Sequence, residues 1–520
     1  MTVPFVQKAL HIDLETGDHD IEHISASEGV IGPVDFGWRE FKKDKNVFTF
    51  GEGKLASSTI PGSRRLVFCA YSDQWEGFYI SSMGGAAHKF QHVGVSYVSL
   101  RGRAERPSVL LLNNRGEAPE ARIVPLEDYR NIWAGYENEA GEKLIGIYAM
   151  QQALLDMFGG EYDPNRVRIV TVGPSAEMTV EGVIGSNTIK KGVMQAVVDW
   201  AGRGGLGSRL LRHHNILAIM FGGEWKDAFA PKTKELNHYF EEHYGDKMTK
   251  VDMAMTKKYH YDPKLETGGT FGANYTNLKD KILTFNYRSA KRTKTERIRQ
   301  HTDFIVRHYL KQFNEETIKP KRFDHCGEPC SVACKKLFGK YKKDYEPYHA
   351  LGPQCGVFDQ RAAELLNDHA DAMGFDAIQI GGTLAWIMEC VADGLMDPDK
   401  YGFPPASELK FSHFTDDVEE FDLVEDSMRN ARYAMKVIDA ILSDSRAEIF
   451  RDGLRAAAEN INSSACFNRA VYLAHGEKGC MVPNQYWVPG MGSPMPLMGK
   501  YYVYYGSDYM PPDDLGRKNV

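Results

Sequence analysis

The sequence predicts an α+β protein: an N-terminal β-sheet domain (residues 1–225), then two mainly α-helical domains (226–415 and 416–520). Three observations carry this. Up to about residue 225, apolar runs of strand length alternate with glycine-rich turns. Past residue 230, the apolar residues recur at helical spacing. The length, 520 residues, suits about two to four domains around a large buried core.

The strands read in order as LVFCAY (66–71), VSYVSLRG (95–102), SVLLLN (108–113), RVRIVTVG (166–173) and NILAIMFGG (215–223). One helical stretch, KLIGIYAMQQALLDMFG (143–159), interrupts them. The helical half contains ELNHYFEEHY, ERIRQHTDFIVRHYLKQF, RAAELLNDHADAMG, GTLAWIMECVADGLM and DSMRNARYAMKVIDAIL. GGTFGANY (268–275) reads as a turn, and residues 403–422 as the best linker. The basic run YRSAKRTKTERIR (287–299) reads most simply as a solvated face, with docking of an anionic substrate or acidic redox partner as the alternative.

Composition excludes some functions. Hydrophobic residues make up 42%, charged residues 26%, and the formal net charge is −7, which argues against a dedicated nucleic-acid binder. No apolar run reaches the roughly 18 residues of a membrane span. The N-terminus lacks a basic segment followed by an apolar one, so no secretory signal is expected. Eight cysteines, five of them scattered, fit a reduced, cytoplasmic compartment.

The other three cysteines are the most informative residues. Cys326, Cys330 and Cys334 fall within nine residues, in DHCGEPCSVACKK. They lie too close together for disulfide stapling, and clustered thiolates hold iron–sulfur or zinc. On a straight helix the outer two would stand about 12 Å apart, too far for one cluster. Gly327 and Pro329 predict a loop that folds Cys326 back and a helix, opened by Pro329, that carries Cys330 and Cys334 one turn apart. Inert buried thiols are the bland alternative.

Two glycine-plus-arginine loops accompany them. GRGGLGSR (202–209) contains Arg203, Gly204, Gly205 and Gly207, and such a loop exposes backbone N–H groups that a phosphate can approach. It lacks the P-loop lysine and the dinucleotide-binding glycine order, so an empty turn is an equal reading. SSMGGAAHKF (81–90), preceded by Arg64 and Arg65, repeats the theme with Ser82, Gly84 and Gly85. DYEPYHALGPQCG (344–356) offers Glu346 as a general acid/base, His349 beside it, and Cys355 as a soft metal ligand or a buried thiol. DAMGFD (371–376) reads as a helix end capped by Gly374, with Asp371 and Asp376 facing water or a heterocycle's N–H groups. His475 is a lone histidine, more often structural than catalytic.

Taken in order, PGSRRLVF, SSMGGAAHKFQHVGVSYVSLRGRAERP, GRGGLGSRLLRHHNILAI, YDPKLETGGTFGANY, CGEPCSVACKK and DAMGFDAIQIGGTLAW resemble the aldehyde:ferredoxin oxidoreductase family, tungsten enzymes with a bis-pterin cofactor. They look most like its glyceraldehyde-3-phosphate branch. The resemblance implies tungsten (or molybdenum) held by two pterins whose phosphates meet magnesium. It puts Arg64 or Arg65, Ser82, Gly84, Gly85 and Arg203 to Gly207 near those phosphates, and Asp371, Gly374 and Asp376 at one pterin ring. Cys326, Cys330 and Cys334 would be three ligands of a [4Fe–4S] cluster, and Glu346 with His475 the proton-handling pair. The implied reaction oxidises an aldehyde to a carboxylate and sends electrons to ferredoxin or an iron–sulfur electron-transfer subunit. The implied partners include no nucleic acid, and a homodimer is the candidate assembly.

The sequence departs from that pattern in three places. The family's second pterin motif, Asp-x-x-Gly-Leu-Cys, which carries the fourth cluster cysteine, is not found; the nearest segment, INSSACF around Cys466, lacks its aspartate and glycine. The last domain therefore looks truncated at PPDDLGRKNV, completed by a companion polypeptide, or served by a different fourth ligand. Ser82 stands where the family usually has asparagine beside magnesium. Cys355 resembles the metal-ligating cysteine of benzoyl-CoA reductase subunits, which makes a tungsten-dependent reductase of aryl- or enoyl-CoA thioesters the second reading. A non-catalytic electron-transfer subunit is the third, and a zinc-stabilised protein the fourth.

Overall fold

A computed structural model describes residues 6–116, 118–227, 230–411 and 420–483. The chain forms two compact units. The first comprises Met1–Lys257 with Asp324–Ala333 and Ala372–Phe375; the second comprises Lys258–Phe323, Cys334–Asp371 and Asp376–Val520.

The first unit is built on two six-stranded sheets. Strands β1 (Val6–Asp13), β2 (His19–Ser25), β3 (Phe48–Gly51), β4 (Leu66–Ser72), β5 (Gly77–Met83) and β6 (Tyr97–Arg101) pair in the order β2-β1-β6-β3-β4-β5. Only β1 and β6 run parallel; the other neighbours are antiparallel. The second sheet takes β7 (Ser108–Asn114), β8 (Pro119–Pro125), β9 (Arg168–Thr171), β10 (Ile184–Lys190), β11 (Val193–Ala201) and β12 (Ile216–Phe221), ordered β11-β10-β9-β12-β7-β8. Every residue of β7 and β12 is buried, which explains why SVLLLNN and ILAIMF are continuous apolar runs rather than alternating ones. Helix α1 (Pro33–Lys43) packs on the first sheet. Helix α2 (Gly146–Phe158) buries Ile147, Met150, Ala153 and Leu154 at helical spacing; Met150, Ala153 and Leu154 join one core with Phe48, Phe68, Leu110 and Ile169. Helix α3 (Leu206–His214) follows the glycine loop and leads into β12.

The second unit is mainly helical. GGTFGANY forms a helix, α4 (Gly269–Leu278), instead of the expected turn, because Phe271, Ala273, Tyr275 and Leu278 are all buried. A long helical stretch follows: α5 (Lys294–Gln300) runs on through π-helical turns at His301–Tyr309 and Asn314–Ile318. Then come α6 (Tyr345–Ala350), α7 (Gln360–Met373), α8 (Ala377–Ala392) and α9 (Glu425–Ser443). Among the described residues, no helix is long and apolar enough to cross a membrane.

Two expectations fail for packing reasons. The basic run is not simply a solvated face, since Tyr287, Ser289 and Arg297 are buried. The expected linker is packed as far as it is described: Phe403 meets Tyr401 and Phe450, and Leu409 and Phe411 are buried. Its residues 412–419 lie outside the described ones, as does the segment ending at PPDDLGRKNV.

Candidate active site and cofactor cradle

In the first unit the cysteine loop is seated on the glycine turn that ends β5. A Cβ added at Gly84 would lie 3.3 Å from Cys326 Sγ, and one at Gly85 only 2.0 Å from the Cys326 carbonyl oxygen. Gly85 also has φ +68°, so both the backbone angle and the contact require glycine there. Glu328 fastens the two pieces: its carboxylate accepts from Gly85 N (3.1 Å) and from Arg64 N (3.1 Å). Arg64 completes the clamp through Nη1 to the Gly327 carbonyl (3.4 Å) and Nε to that of Ser58 (3.2 Å).

The loop itself corrects one expectation. Gly327 turns the chain back at φ +103°, as expected, but Pro329 opens no helix. Residues 325–334 are irregular, between short strands at Phe323–Asp324 and Lys335–Phe338. Competing hydrogen bonds are the physical reason. Ser331 N donates to Asp252 Oδ2 (2.6 Å) and the Cys330 thiol to the Val332 carbonyl (3.2 Å), while Glu328 is held by the glycine turn. Cys326 and Cys330 are close enough to interact: burial raises the Cys330 pKa, and Cys326 raises it further. Cys334 begins the next stretch of the second unit. Among the described residues no three His, Cys, Asp or Glu side chains are gathered as a metal-ready set. The donor chemistry fits a thiolate-held cluster, two thiols sharing a loop pressed against glycine backbone.

The two glycine loops sit on one strand. Tyr79 of β5 fills the space a Cβ at Gly204 would need (2.3 Å), and Gly84 and Gly85 follow the end of the same strand. At about 3.3 Å per residue the two loops are therefore within roughly 20 Å along it. Gly204 and Gly205 both have positive φ, and Cβ atoms at Gly205 and Gly207 would collide with the carbonyls of Val180 and Val183. Close packing thus accounts for these glycines by itself. Arg203 is half-buried; Arg65 is exposed, with Nη1 3.4 Å from Ser82 Oγ. Segment 372–375 is stitched to the same region: the carbonyl of Gly374 (φ +78°) accepts from Ser175 Oγ (2.6 Å) and Val183 N (2.9 Å).

In the second unit, Asp376 caps α8, accepting from Ile378 N (3.0 Å) and Gln379 N (3.1 Å). Asp371 has its pKa pushed up to about 7 by loss of water, against the pull of Lys342. A carboxyl poised there can either donate or accept a hydrogen bond at neutral pH.

Glu346 and His349 stand one turn apart on α6 and line a small cleft with Tyr287, Gln354, Gly382 and Val482. Its free space, about 10 Å³, is that of roughly one water. His349 is buried, stacked on Tyr345 at 5.4 Å, and its Nε2 lies 2.8 Å from the Leu283 carbonyl. A carbonyl only accepts, so Nε2 carries the hydrogen and Nδ1 is left as an acceptor. Burial pulls the His349 pKa down to about 4, so the ring is neutral. Helix α6 is anchored at its end, where the Tyr275 and Tyr309 hydroxyls both donate to the Tyr348 carbonyl (3.2 and 3.0 Å).

Cys355 is fully buried, its thiol donating to the Ala350 (3.3 Å) and Gly381 (3.5 Å) carbonyls, and burial raises its pKa strongly. His475 is exposed on a hairpin (Leu473–His475 with Gly479–Met481) and is not among the described residues lining the Glu346 cleft, where His349 stands instead. Cys466 packs beside Cys390, with its thiol 3.4 Å from the Leu395 carbonyl.

Sequence reasoning missed three contributors. Glu328 was visible only as one acid between two cysteines. Arg168, buried in β9, donates to Ser186 Oγ through Nε (2.6 Å) and interacts electrostatically with Cys326, a residue far from it along the chain. The third is the turn at Phe285, Asn286 and Tyr287, three consecutive non-glycine residues with φ of 50°, 49° and 63°. Left-handed backbone costs about 1–2 kcal/mol per residue. Pro353 O and Gln354 O hold the turn by accepting from Phe285 N (2.9 Å) and Asn286 N (3.0 Å), and Gln354 Oε1 accepts from Tyr287 N (2.9 Å). No sequence signal marks such a turn.

The chain has known relatives. The N-terminal domain model of aldehyde ferredoxin oxidoreductase matches residues 9–223, and the model of that family's domains 2 and 3 matches residues 248–477. The chain belongs to the aldehyde ferredoxin oxidoreductase family. An uncharacterized protein of Methanocaldococcus jannaschii is 37% identical over 485 residues, covering 91% of this chain and 74% of the relative. The glyceraldehyde-3-phosphate:ferredoxin oxidoreductase of Pyrococcus furiosus is 36% identical over 497 residues, covering 92% of this chain and 74% of that enzyme. Among solved structures, the active-site complex of benzoyl coenzyme A reductase with 1,5-dienoyl-CoA matches with a TM-score of 0.63 at 13% identity, over 89% of this chain and 64% of the other. That likeness is one of fold. Family membership bears out the α+β reading, with a sheet-built N-terminal region and a helical remainder.

Proposed function

We propose that this chain is the catalytic part of a tungsten–pterin oxidoreductase that oxidises an aldehyde to a carboxylate and passes electrons through a [4Fe–4S] cluster to ferredoxin. The observation that carries the reading is the clamp in the first unit, where Glu328 and Gly85 fix the cysteine loop against the glycine turn. A loop of metal-ligating type pressed onto a phosphate-binding type of turn is the arrangement needed where an electron leaves a cofactor for a cluster.

In this reading Cys326, Cys330 and Cys334 would hold the cluster. Arg65, Ser82, Gly84 and Gly85, with Arg203 to Gly207, would receive the pterin phosphates and their magnesium, and Asp371 and Asp376 the ring N–H groups. The bound metal–pterin group and cluster supply the conversion of one two-electron oxidation into two single-electron transfers. The chain's own residues handle the rest. Oxidation of R–CHO with one H₂O yields R–COO⁻, two electrons and three protons at neutral pH, so water must be placed and protons removed. The one-water space beside Glu346 suits the first task, and the half-buried Glu346 carboxylate the second. His349 Nδ1 and the Gln354 amide orient what occupies the cleft. We place His349 in the role the resemblance gave to His475, since it shares the cleft with Glu346. The thioester-reductase reading asks for a Cys355 thiolate, and the carbonyl acceptors around that thiol favour its protonated form.

The test is anaerobic purification, metal analysis and reduction of a viologen dye by a panel of aldehydes. Iron and tungsten (or molybdenum) with aldehyde-dependent dye reduction, lost in Glu346→Gln, is the expected result. Full metal content with no reduction by any aldehyde would overturn the aldehyde assignment.

A further inference from the structure

The strained turn at residues 285–287 converges on one side chain of the same unit, Gln354. Gln354 lies in the short helical turn Pro353–Cys355, is 3% exposed, and lines the Glu346–His349 cleft. Its backbone carbonyl accepts from Asn286 N (3.0 Å) and its side-chain Oε1 from Tyr287 N (2.9 Å). A backbone N–H only donates, so the amide atom beside Tyr287 is the oxygen. Nε2 therefore occupies the other side of the amide, with two hydrogens to give. Among the described residues it is buried and has no hydrogen-bond partner.

A buried donor without an acceptor is unfavourable, and the cleft supplies what would satisfy it. His349 Nε2 gives its hydrogen to the Leu283 carbonyl, so Nδ1 offers a lone pair. Glu346 brings carboxylate oxygens, and the free space is that of roughly one water. The Tyr287 hydroxyl is turned to the Pro483 carbonyl, while Ile378, Gly382 and Val482 add no polar side chain. One donor and two acceptors suit a single water. Its oxygen accepts from Gln354 Nε2, and its two hydrogens go to His349 Nδ1 and the Glu346 carboxylate.

We propose that Gln354 Nε2 is the donor that holds the oxygen of the water consumed in the reaction, and that the turn 285–287 is the device that aims it. The proposal rests on reading this cleft as the reaction site. The left-handed backbone there lets two successive N–H groups, of Asn286 and Tyr287, meet the two oxygens of one residue. Strain of this kind is kept where it fixes a working group. With both hydrogens and one lone pair engaged, the water has one lone pair left and one direction of attack. That pair forms the bond to the carbonyl carbon of R–CHO while the C=O π pair moves to the carbonyl oxygen. Glu346 takes the water's proton and returns it to that oxygen, giving R–CH(OH)₂ with no electron transferred.

The test uses the full chain purified anaerobically, native and as Gln354→Met and Gln354→Glu. Methionine matches the length of glutamine but donates nothing; glutamate keeps an oxygen for Tyr287 N and donates only while protonated. Crystal structures that show ordered water read the site. The native protein should hold a water within about 3.2 Å of Gln354 Nε2, His349 Nδ1 and Glu346, and Gln354→Met should lose it. In aldehyde-dependent dye reduction, Gln354→Met should lower kcat about a hundredfold with KM, iron and tungsten unchanged. The kcat of Gln354→Glu, relative to native, should rise as pH falls. No water on Nε2, or native kcat in Gln354→Met, overturns the proposal and spares the aldehyde reading. Metal lost together with activity in Gln354→Met, without rescue of Gln354→Glu at low pH, makes Gln354 structural and overturns it too. A water held by Nε2 in a metal-loaded protein that oxidises no aldehyde keeps the site and sinks the aldehyde reading.

Discussion

Replacing Gly85 with alanine isolates the contact on which the cofactor reading depends. Two costs add at this position. An alanine at φ +68° carries the left-handed penalty of about 1–2 kcal/mol. Its Cβ would also lie 2.0 Å from the Cys326 carbonyl oxygen and 2.9 Å from Gly327 Cα, both backbone atoms. Carbon–oxygen contacts settle at about 3.3–3.6 Å, so the cysteine loop must retreat by more than about 1 Å, and such overpacking costs about 1–3 kcal/mol. Gly17→Ala is the matched control, because Gly17 has φ +80° and its added methyl would meet nothing within 4 Å. The difference between the variants is therefore about 1–3 kcal/mol, or roughly 2–12 °C in the thermal midpoint of a unit this size. Differential scanning fluorimetry gives the midpoint, and iron per chain after anaerobic purification gives the state of the loop. Gly85→Ala should lose iron, and Gly17→Ala should keep it. Equal iron and equal midpoints would refute the claim that the loop is seated on this turn.

Three other substitutions probe the clamp, the cleft and a buried ion pair. Glu328→Gln weakens two bonds to backbone N–H groups that a charged acceptor makes worth about 1.5–3 kcal/mol each; faster iron loss to a chelator and faster exchange of the Gly85 amide are expected, and an unchanged exchange rate would contradict the clamp. His349 takes up its proton in the folded chain only near pH 4, against 6.5 when unfolded, so stability is complete above about 6.5 and falls as pH drops toward 4, by about 3 kcal/mol in all; His349→Gln should flatten that slope in urea titrations. Lys343, buried against Glu364 and Gln360 with its pKa lowered to about 8, forms an ion pair whose disruption from one side leaves a buried charge. Because Arg361 Nη2 still lies 2.9 Å from Glu364 Oε1, Lys343→Met should cost no more than about 3–5 kcal/mol, part of it recovered in the double variant carrying Glu364→Gln, as a double-mutant cycle would measure.

The β-rich base and the helical remainder were legible in the order of residues, because strand and helix periodicities are local and a core must be buried on one face or two. Runs such as SVLLLN and ILAIMF became fully buried strands for that reason. The cysteine triplet, the glycine loops and Glu346 could be picked out the same way, since each is a chemically distinctive group close along the chain. Their company, by contrast, came from contacts between segments that the order of residues does not connect. Glu328 meets Gly85 across 243 residues, His349 rather than His475 shares the cleft with Glu346, and Pro329 stays in a loop because distant groups claim its neighbours. The left-handed turn at Phe285 to Tyr287 is the clearest case. Its conformation is unfavourable for Phe285 and Tyr287 on either side of the more tolerant Asn286, and the carbonyls of Pro353 and Gln354 with the Gln354 side chain, brought there by the fold, hold it.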